Sequence, residues 1–286
     1  MGPPDIDLTQ AVVAITGAGR GIGRATAAQF VAQGATVCLG DLDGESAATA
    51  ASELGHRAHP FRVDVRSRES FNEFVASAEQ AVGSIDVLVN NAGVMPTGPF
   101  VEESDATTET VLAVNLAGPM HGMRAVLPGM IERGRGHVVN VASMLGKAEL
   151  PGLATYIASK HALVGLTAGV RAELENTGVT LTVLLPGIVN TELSSGIPIP
   201  RLIASIARIE ADDVARAIVQ SCETRPKELA VPRWLAIYPV MRPFIPERIE
   251  SVIRKLIGHD RALRGVDPEG RSAYANRVSK QVVDEV

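Results

Sequence analysis

The sequence TGAGRGIG, residues 16–23, joins a short apolar run to a segment of helical composition. The apolar run is Ala11–Thr16, and we expect the helix to begin near Ile22. Glycines in such a turn let the backbone approach a ligand closely, and the first turn of a helix favours a pyrophosphate. Because the turn lies between a strand and a helix, it predicts a dinucleotide-binding loop rather than a merely flexible turn. The expected contacts are Gly17, Gly19, Arg20, Gly21, Ile22 and Gly23.

The alternation of strand and helix continues to about residue 232. Several of the Val/Ile/Leu-rich runs are apolar throughout, as expected for strands covered on both faces. The pattern predicts an α/β protein with a Rossmann-like, doubly wound, predominantly parallel seven-stranded sheet and helices on both faces. The further runs are Thr36–Gly40, Arg57–Val65, Ile85–Asn90, His137–Ala142, Val179–Leu185 and Glu228–Val231, and the helical segments include Gly23–Gln33, Arg68–Val82 and Asp105–Arg133.

Composition excludes some classes of function. A formal charge of -5 over 286 residues argues against a general nucleic-acid binder. We interpret Cys38 and Cys222 as reduced, buried thiols, and no His or Cys spacing suits a metal, so none is expected. The first ten residues do not resemble a signal peptide, and no apolar stretch reaches transmembrane length. We therefore expect a soluble, cytoplasmic protein.

Acidic residues behind the glycine loop bear on the choice of dinucleotide. Asp41 ends the second strand, where a carboxylate can accept hydrogen bonds from both hydroxyls of the adenosine ribose. It would also repel a 2′-phosphate, whereas Arg20 could pair with one. Because Asp41 is more directly placed, NAD is favoured and NADP is the alternative. Asp64 could bind the adenine amino group or be a solvated turn acid, and Asp43 is the expected N-cap of the next helix.

Tyr156 and Lys160 form a pair suited to proton transfer. Residues four apart on a helix are neighbours. A phenol normally titrates near pH ~10, and an ammonium group beside it favours the phenolate and can lower that pKa. Such a pair could take a proton from an alcohol or return one to a carbonyl.

These motifs, in this order, resemble the short-chain dehydrogenase/reductase family of the typical single-domain type. The loop matches the family's TGxxxGxG form, and Asn90-Asn91-Ala92-Gly93 matches its NNAG motif. The resemblance covers residues 9–232 and implies hydride transfer between a substrate carbon and the nicotinamide. The other matching residues are Asn115, Ser143, Tyr156, Lys160, Pro186, Gly187 and Thr191.

The resemblance also implies a role for each catalytic residue. Tyr156 is the expected acid/base, and Lys160 is expected to lower its pKa and bind the nicotinamide ribose. Ser143 would hold the substrate oxygen beside the phenol. Asn115 would fix a water that links Lys160 to solvent, and Asn90 would stabilise the central strand and line the cofactor site.

The remaining expected cofactor contacts follow the third, fourth and sixth strands. Thr191 either contacts the nicotinamide carboxamide or caps the next segment. His161 points about 100° around the helix from Lys160 and is interpreted as structural. These contacts are Val65, Asn91, Ala92, Gly93, Pro186, Gly187, Val189 and Thr191.

Three segments are expected to select the substrate: Met144–Thr155, the 94–98 loop and a lid at Glu192–Ile209. Lys147 and Glu149 are interpreted as solvated residues at the rim. The apolar lid predicts a lipophilic secondary alcohol or its ketone. Its apolar residues are Leu193, Ile197, Ile199, Leu202 and Ile203.

We divide the chain into a catalytic domain at 1–232 and a C-terminal extension at 233–286. In the extension, Trp234–Ile257 resembles an interfacial membrane anchor, or packs on the core or a partner subunit, the interpretation we favour. The resemblance implies a homodimer or homotetramer formed through the helices that carry Asn115 and Tyr156.

Two other functions compete with a dehydrogenase. One is a dinucleotide sensor or scaffold without turnover, which would not need the Ser143, Tyr156, Lys160 and Asn115 set. The other is an epimerase or dehydratase of sugar nucleotides, but those proteins usually have a TGxxGxxG loop and a larger C-terminal domain.

Overall fold

The strands of the chain form a parallel sheet of seven strands, as the sequence predicts. A computed structural model describes residues 4–196, 208–245, 267, 271–272 and 274–278. Within these residues the strand order is β3-β2-β1-β4-β5-β6-β9, and β7 pairs with β8 in a separate two-stranded sheet. The strands are β1 (Val12–Thr16), β2 (Thr36–Asp41), β3 (Ala58–Arg62), β4 (Val87–Asn90), β5 (Gly136–Val141), β6 (Val179–Pro186), β7 (Ile188–Val189), β8 (Arg208–Ile209) and β9 (Glu228–Val231).

Helices cover both faces of the large sheet. The α1, α2 and α7 helices form one layer, and α3, α4, α5 and α6 form the other. Consequently β1, β4 and β5 are buried along their whole length. The helices are α1 (Gly21–Ala32), α2 (Gly44–Leu54), α3 (Arg68–Val82), α4 (Asp105–Leu112), α5 (Gly118–Glu132), α6 (Ala154–Glu173), α7 (Ala211–Thr224) and the short α8 (Ile237–Met241).

Two elements differ from the expectation. The strand expected at Arg57–Val65 ends at Arg62, because Asp64 starts a turn in which its carbonyl accepts the N–H of Ser67 at 3.1 Å. The helix expected at Asp105–Arg133 contains a π-helical turn, Ala113–Ala117, between α4 and α5. That turn carries Asn115, which is fully buried.

Other local expectations are confirmed. Asp43 is the N-cap of α2, and its carboxylate accepts the N–H of Ser46 at 3.1 Å. Cys38 and Cys222 are free and buried, and burial raises the pKa of each thiol to about 12. Across the described residues, every helix is too short or too polar to cross a bilayer.

The parallel sheet decides where the site lies. Because the strands run in one direction, the residues that follow β1, β2, β4, β5 and β6 meet at one edge. Ligands of open α/β sheets bind at this carboxyl edge, where the strand order reverses between β1 and β4.

Candidate active site

A cavity of about 1140 Å³ opens at the carboxyl edge of the sheet. All but two of the expected cofactor contacts line it, as does Ser143. The exceptions, Gly19 and Gly23, support the loop instead. The lining contacts are Gly17, Arg20, Gly21, Ile22, Asp41, Asp64, Val65, Asn91, Ala92, Gly93, Tyr156, Lys160, Pro186, Gly187, Val189 and Thr191.

The glycine loop is packed too closely to hold a side chain at Gly17 or Gly23. A Cβ at Gly23 would lie 2.1 Å from the carbonyl oxygen of Gly17. Gly17 has a φ of +64°, and a Cβ there would lie 2.9 Å from the Cα of Ala92. The α1 helix begins at Gly21 on the cavity wall, so its first turn offers N–H groups of the kind that bind a pyrophosphate.

The segment after β4 holds this loop in place. The side chain of Asn91 donates to the carbonyl oxygens of Thr16 at 2.9 Å and Gly17 at 3.0 Å. In return, the hydroxyl of Thr16 accepts the N–H groups of Asn91 and Ala92, each at 3.1 Å. The two motifs that carry the resemblance are therefore joined by hydrogen bonds.

Asp41 and Arg20 have different partners at the adenosine end of the cavity. The two oxygens of Asp41 accept the N–H of Gly19 at 2.9 Å and of Asp43 at 3.1 Å. Arg20 forms an ion pair with Asp43 at 2.6 Å and donates to the hydroxyl of Ser46. Hydrogen bonds from Ser46, assisted by Arg20, lower the pKa of Asp43 from its ordinary value. The charge of Arg20 is thus already compensated by the protein.

Asp64 is not a solvated turn acid. It is partly buried, and its oxygens accept from the Nε and Nη2 of Arg66 at 3.0 and 2.8 Å. Burial acts to raise the pKa of Asp64, but the hydrogen bonds and charge of Arg66 outweigh it and lower that pKa. Sequence reasoning missed Arg66, which also lines the cavity.

Asn90 fulfils one of its two expected roles. Its amide donates to the side-chain oxygen of Asn140 on β5 at 2.8 Å, and Asn140 donates to Thr167 on α6 at 2.9 Å. This buried chain ties the two central strands to a helix. The expectation that Asn90 lines the cofactor site is wrong, because its side chain is buried between the sheet and α5 and lies outside the cavity lining.

Tyr156 and Lys160 lie near the start of α6 and are both buried. The ammonium nitrogen lies 5.7 Å from the centre of the phenol ring and donates to the carbonyl of Val141 at 2.9 Å. Burial lowers the pKa of Lys160 to about 8. Burial instead raises the pKa of Tyr156, and the Ser143 hydroxyl only partly offsets that effect, so the lowering expected from Lys160 stays a prediction.

Ser143 and Asn115 complete the expected set. Ser143 follows β5, and its hydroxyl accepts the N–H of Leu145 at 3.1 Å. The side chain of Asn115 accepts from the N–H of Val94 at 2.9 Å and donates to its carbonyl at 2.9 Å. Its amide also reaches the hydroxyl of Ser159 at 3.1 Å. Asn115 thereby anchors the chain after the NNAG motif, and its water-binding role stays a prediction.

Two further side chains, Thr191 and His161, make contacts of a structural kind, and the nicotinamide contact of Thr191 stays a prediction. Thr191 is the N-cap of the turn Glu192–Ser194, and its N–H lies 3.5 Å from the hydroxyl of Ser194, although it also lines the cavity. His161 is exposed and contacts the carbonyl of Ile157 at 3.0 Å, which agrees with a structural role.

Apolar side chains line the part of the cavity beyond Ser143 and Tyr156. Lys147 and Glu149 are not free rim residues, because they pair with Glu228 at 3.0 Å and with Arg242. Residues 197–207, which include most of the apolar lid positions, lie outside the described residues. The apolar lining comprises Val94, Met95, Leu145, Leu150, Leu153 and Leu193 from the expected segments, and Leu235, Tyr238, Tyr274 and Val278 from the C-terminal extension.

The contribution of Tyr274, Arg277 and Val278 was missed by sequence reasoning. The only signal was the spacing of Tyr274 and Val278, four apart in a polar tail, which places both on one helical face. Among the described residues, no cluster of three or more His, Cys, Asp or Glu side chains could hold a metal.

Comparisons with known proteins define the class. Residues 11–199 match the short chain dehydrogenase family. Human 17-beta-hydroxysteroid dehydrogenase 13 is 33% identical, over 86% of this chain and 82% of its own, and rat estradiol 17-beta-dehydrogenase 11 is 34% identical, over 86% and 83%. The crystal structure of a short-chain dehydrogenase/reductase from Burkholderia phymatum in complex with NAD is 28% identical, covers 86% of this chain and 96% of its own, and superposes with a TM-score of 0.76.

The chain therefore belongs to the short-chain dehydrogenase/reductase family. It is an oxidoreductase of the class that acts on CH–OH groups with NAD or NADP as the acceptor.

Proposed function

We propose that this enzyme transfers hydride between NAD(H) and a lipophilic secondary alcohol or its ketone, with Tyr156 as the acid/base. One observation carries the proposal. Tyr156 and Ser143 both line a single cavity where its dinucleotide end meets its apolar end. A carbon that carries an oxygen at this junction would face a proton donor and a hydride carrier together.

The side chains divide the proton chemistry. Bound NAD supplies the hydride acceptor at C4 of the nicotinamide. Ser143 donates to or accepts from the substrate oxygen, while Tyr156 takes the alcohol proton during oxidation and returns it during reduction. Burial raises the pKa of Tyr156, so its phenolate needs positive charge nearby. Lys160, 5.7 Å from the ring, is the cation the protein supplies, and the oxidised nicotinamide would add a second.

The contacts of Asp41 and Arg20 support NAD over NADP. A 2′-phosphate beside Asp41 would meet a carboxylate, and two unit charges ~4 Å apart cost about 4 kcal/mol at an effective dielectric constant of ~20. Arg20 would have to leave Asp43 and Ser46 to bind such a phosphate. The Burkholderia relative was crystallised with NAD, which agrees with this choice.

The walls beyond Tyr156 support an apolar substrate. Met95 and Leu153 pack directly against Tyr156, and Leu145 and Leu150 extend the same surface. The charged residues on this side are engaged with protein partners, as Lys147 is with Glu228. Two relatives are named for hydroxysteroid and estradiol substrates, so rigid, apolar secondary alcohols are the first class to test.

The deciding experiment compares wild type with Tyr156→Phe. Wild type should oxidise apolar secondary alcohols with NAD⁺ faster than with NADP⁺, and the variant should lose about 10²–10⁴-fold in kcat because the proton acceptor is missing. The Kd for NAD⁺, measured by calorimetry, should change little. A variant that keeps full turnover would refute the assignment of Tyr156. Wild-type turnover confined to small polyols would refute the apolar substrate. Wild-type binding of NAD⁺ without any turnover would indicate a sensor.

A further inference from the structure

The last described segment of the chain lies against the substrate end of the cavity. We name Arg271–Val278 the latch segment; its described residues are helical, and Arg271, Tyr274 and Val278 are buried. Tyr274, Arg277 and Val278 line the cavity. The described residues of this segment are thus packed onto the active site.

Arg271 joins two of the segments that are expected to select the substrate, the lid and the 94–98 loop. Its Nη1 donates to the carbonyls of Leu193 at 3.1 Å and Ser195 at 2.9 Å, at the start of the lid. Its Nη2 donates to the carbonyl of Met95 in the 94–98 loop. Burial lowers the pKa of Arg271 from its ordinary value. A buried guanidinium with three carbonyl acceptors holds the two loops at a fixed separation.

Tyr274 holds the same loop from the other side. Its hydroxyl accepts the N–H of Met95 at 2.6 Å, and its ring lies 4.7 Å from the guanidinium of Arg271. Both backbone groups of Met95 are therefore bonded to the latch segment. The side chain of Met95 packs against Tyr156 and Leu153, so Met95 connects Tyr274 to the phenol of Tyr156.

Gly196 attaches the lid to Asp267 and lies close to Arg271. It has a φ of +69°, and a Cβ there would lie 2.7 Å from the carbonyl oxygen of Asp267 and 3.0 Å from the Cβ of Arg271. The N–H of Asp267 donates to the carbonyl of Gly196 at 2.8 Å. Near the outer surface, Arg277 pairs with Glu192. The start of the lid is consequently attached to the latch segment at Glu192, Leu193 and Ser195, and to Asp267 at Gly196.

We propose that the latch segment forms the far wall of the substrate site and sets the enzyme's preference for extended apolar alcohols. This inference rests on the proposed function. Tyr274 and Val278 would contact the end of the substrate distant from the reacting carbon. Arg271 is a positioning residue, because it acts through the backbones of Met95, Leu193 and Ser195. A short alcohol would not reach this wall and would gain nothing from it.

The test uses two substitutions in the full-length enzyme. Tyr274→Phe keeps the ring and removes the acceptor of the Met95 N–H. Gly196→Ala adds a methyl group where the latch segment packs. Gly55→Ala is the matched control, since Gly55 has a similar φ of +87° but nothing within 4 Å of the added Cβ. For each protein we would measure kcat/KM with a steroid alcohol and with 2-butanol, the Kd for NAD⁺, and hydrogen exchange at the Met95 amide.

We expect the ratio of kcat/KM for the steroid alcohol over 2-butanol to fall about tenfold in both latch variants, equivalent to about 1.4 kcal/mol of selectivity. The Met95 amide should exchange faster in Tyr274→Phe, while the control matches wild type and the Kd for NAD⁺ stays constant. An unchanged ratio would overturn the proposal, as would an equal loss for both alcohols together with weaker NAD⁺ binding, which indicates a merely structural role. If wild type oxidises no alcohol, the proposed function fails; unchanged Met95 exchange would separately refute the latch.

Discussion

Single buried residues show how strongly the environment changes the chemistry of a side chain in this enzyme. Burial raises the pKa of Tyr156 and lowers that of Lys160 to about 8, so both groups are displaced toward their neutral forms. Both shifts suit a site that must donate a proton in one direction of the reaction and accept one in the other. The neutral phenol is a proton donor for ketone reduction, and a bound cation can draw it toward the phenolate for oxidation.

A substitution at Asp41 should change the coenzyme preference. Asp41→Asn removes the charge that opposes a 2′-phosphate, so the ratio of kcat/KM for NADP⁺ over NAD⁺ should rise by about tenfold or more. This rise is smaller than the full Coulomb repulsion between the two charges would give, because Asp41 is partly exposed to solvent. Asp212→Asn, an exposed charge on α7, is the control and should leave the ratio unaltered. A ratio that stays at the wild-type value in Asp41→Asn would contradict this role.

His137 should make the protein less stable in acid. Burial lowers its pKa from 6.5 to about 3, while its ring contacts Thr180 at 2.8 Å and Ser221 at 3.3 Å. Between those two pH values the unfolded chain binds a proton that the native protein does not, so stability falls as pH decreases through this window. At pH 5 the loss from this residue is about 2 kcal/mol.

Denaturant unfolding at pH 7 and pH 5 measures the effect. His137→Asn should lose some stability at pH 7 but show a smaller decrease between the two pH values than wild type. His56→Asn, at an exposed position, should retain the wild-type decrease. An identical pH dependence in all three proteins would exclude His137 as the cause.

At the scale of the elements, the glycine loop and α1 work as one unit with the segment after β4. The loop has no room for side chains at Gly17 or Gly23, and Asn91 bonds to the carbonyls of Thr16 and Gly17. Sequence spacing located this loop because glycine is needed wherever the backbone packs this closely. It did not reveal the π-helical turn that places Asn115, since no residue pattern distinguishes such a turn from ordinary helix.

Gly23→Ala should therefore weaken the binding of NAD⁺. The added Cβ would lie 2.1 Å from the carbonyl oxygen of Gly17, so the loop must shift and the affinity for NAD⁺ should fall at least ~10-fold. Gly169→Ala is the helical control, because nothing lies within 4 Å of its Cβ, and it should stabilise the protein by up to about 1 kcal/mol. Equal NAD⁺ affinity in Gly23→Ala and wild type would refute the close-packing argument.

The whole molecule presents an apolar surface outside the catalytic site. Leu235 and Tyr238 face inward and pack on the core beside β6 and β9. Their neighbours Ile237, Val240 and Phe244 are 61%, 64% and 77% exposed. Of the apolar segment Trp234–Ile257, residues 246–257 lie outside the described part of the chain. A patch of this kind indicates a contact with another molecule or a lipid surface.

Two occupants fit this surface, a lipid bilayer and a second copy of the chain, and vesicle sedimentation distinguishes them. If lipid covers the surface, wild type should sediment with phosphatidylcholine vesicles, and Ile237→Ser combined with Phe244→Ser should reduce the bound fraction severalfold without lowering turnover of a soluble alcohol. Val101→Ser, another exposed apolar site at 90% exposure, is the control. A protein that stays in the supernatant and elutes as a dimer, which the double variant converts to a monomer, would assign the surface to a second copy instead.

The parallel sheet, the dinucleotide loop and the residues around Tyr156 were predictable, because each depends on local spacing: glycines between a strand and a helix, apolar runs for covered strands, and Tyr and Lys four apart. Folding, by contrast, sets which charges compensate each other: Arg20 pairs with Asp43, and Asp64 pairs with Arg66. It also brought Arg271 and Tyr274 onto Met95, which precedes them by 176 and 179 residues. Such contacts cannot be predicted from the local sequence, because a hydrophobic pattern indicates that a residue is buried but not which distant residue packs against it.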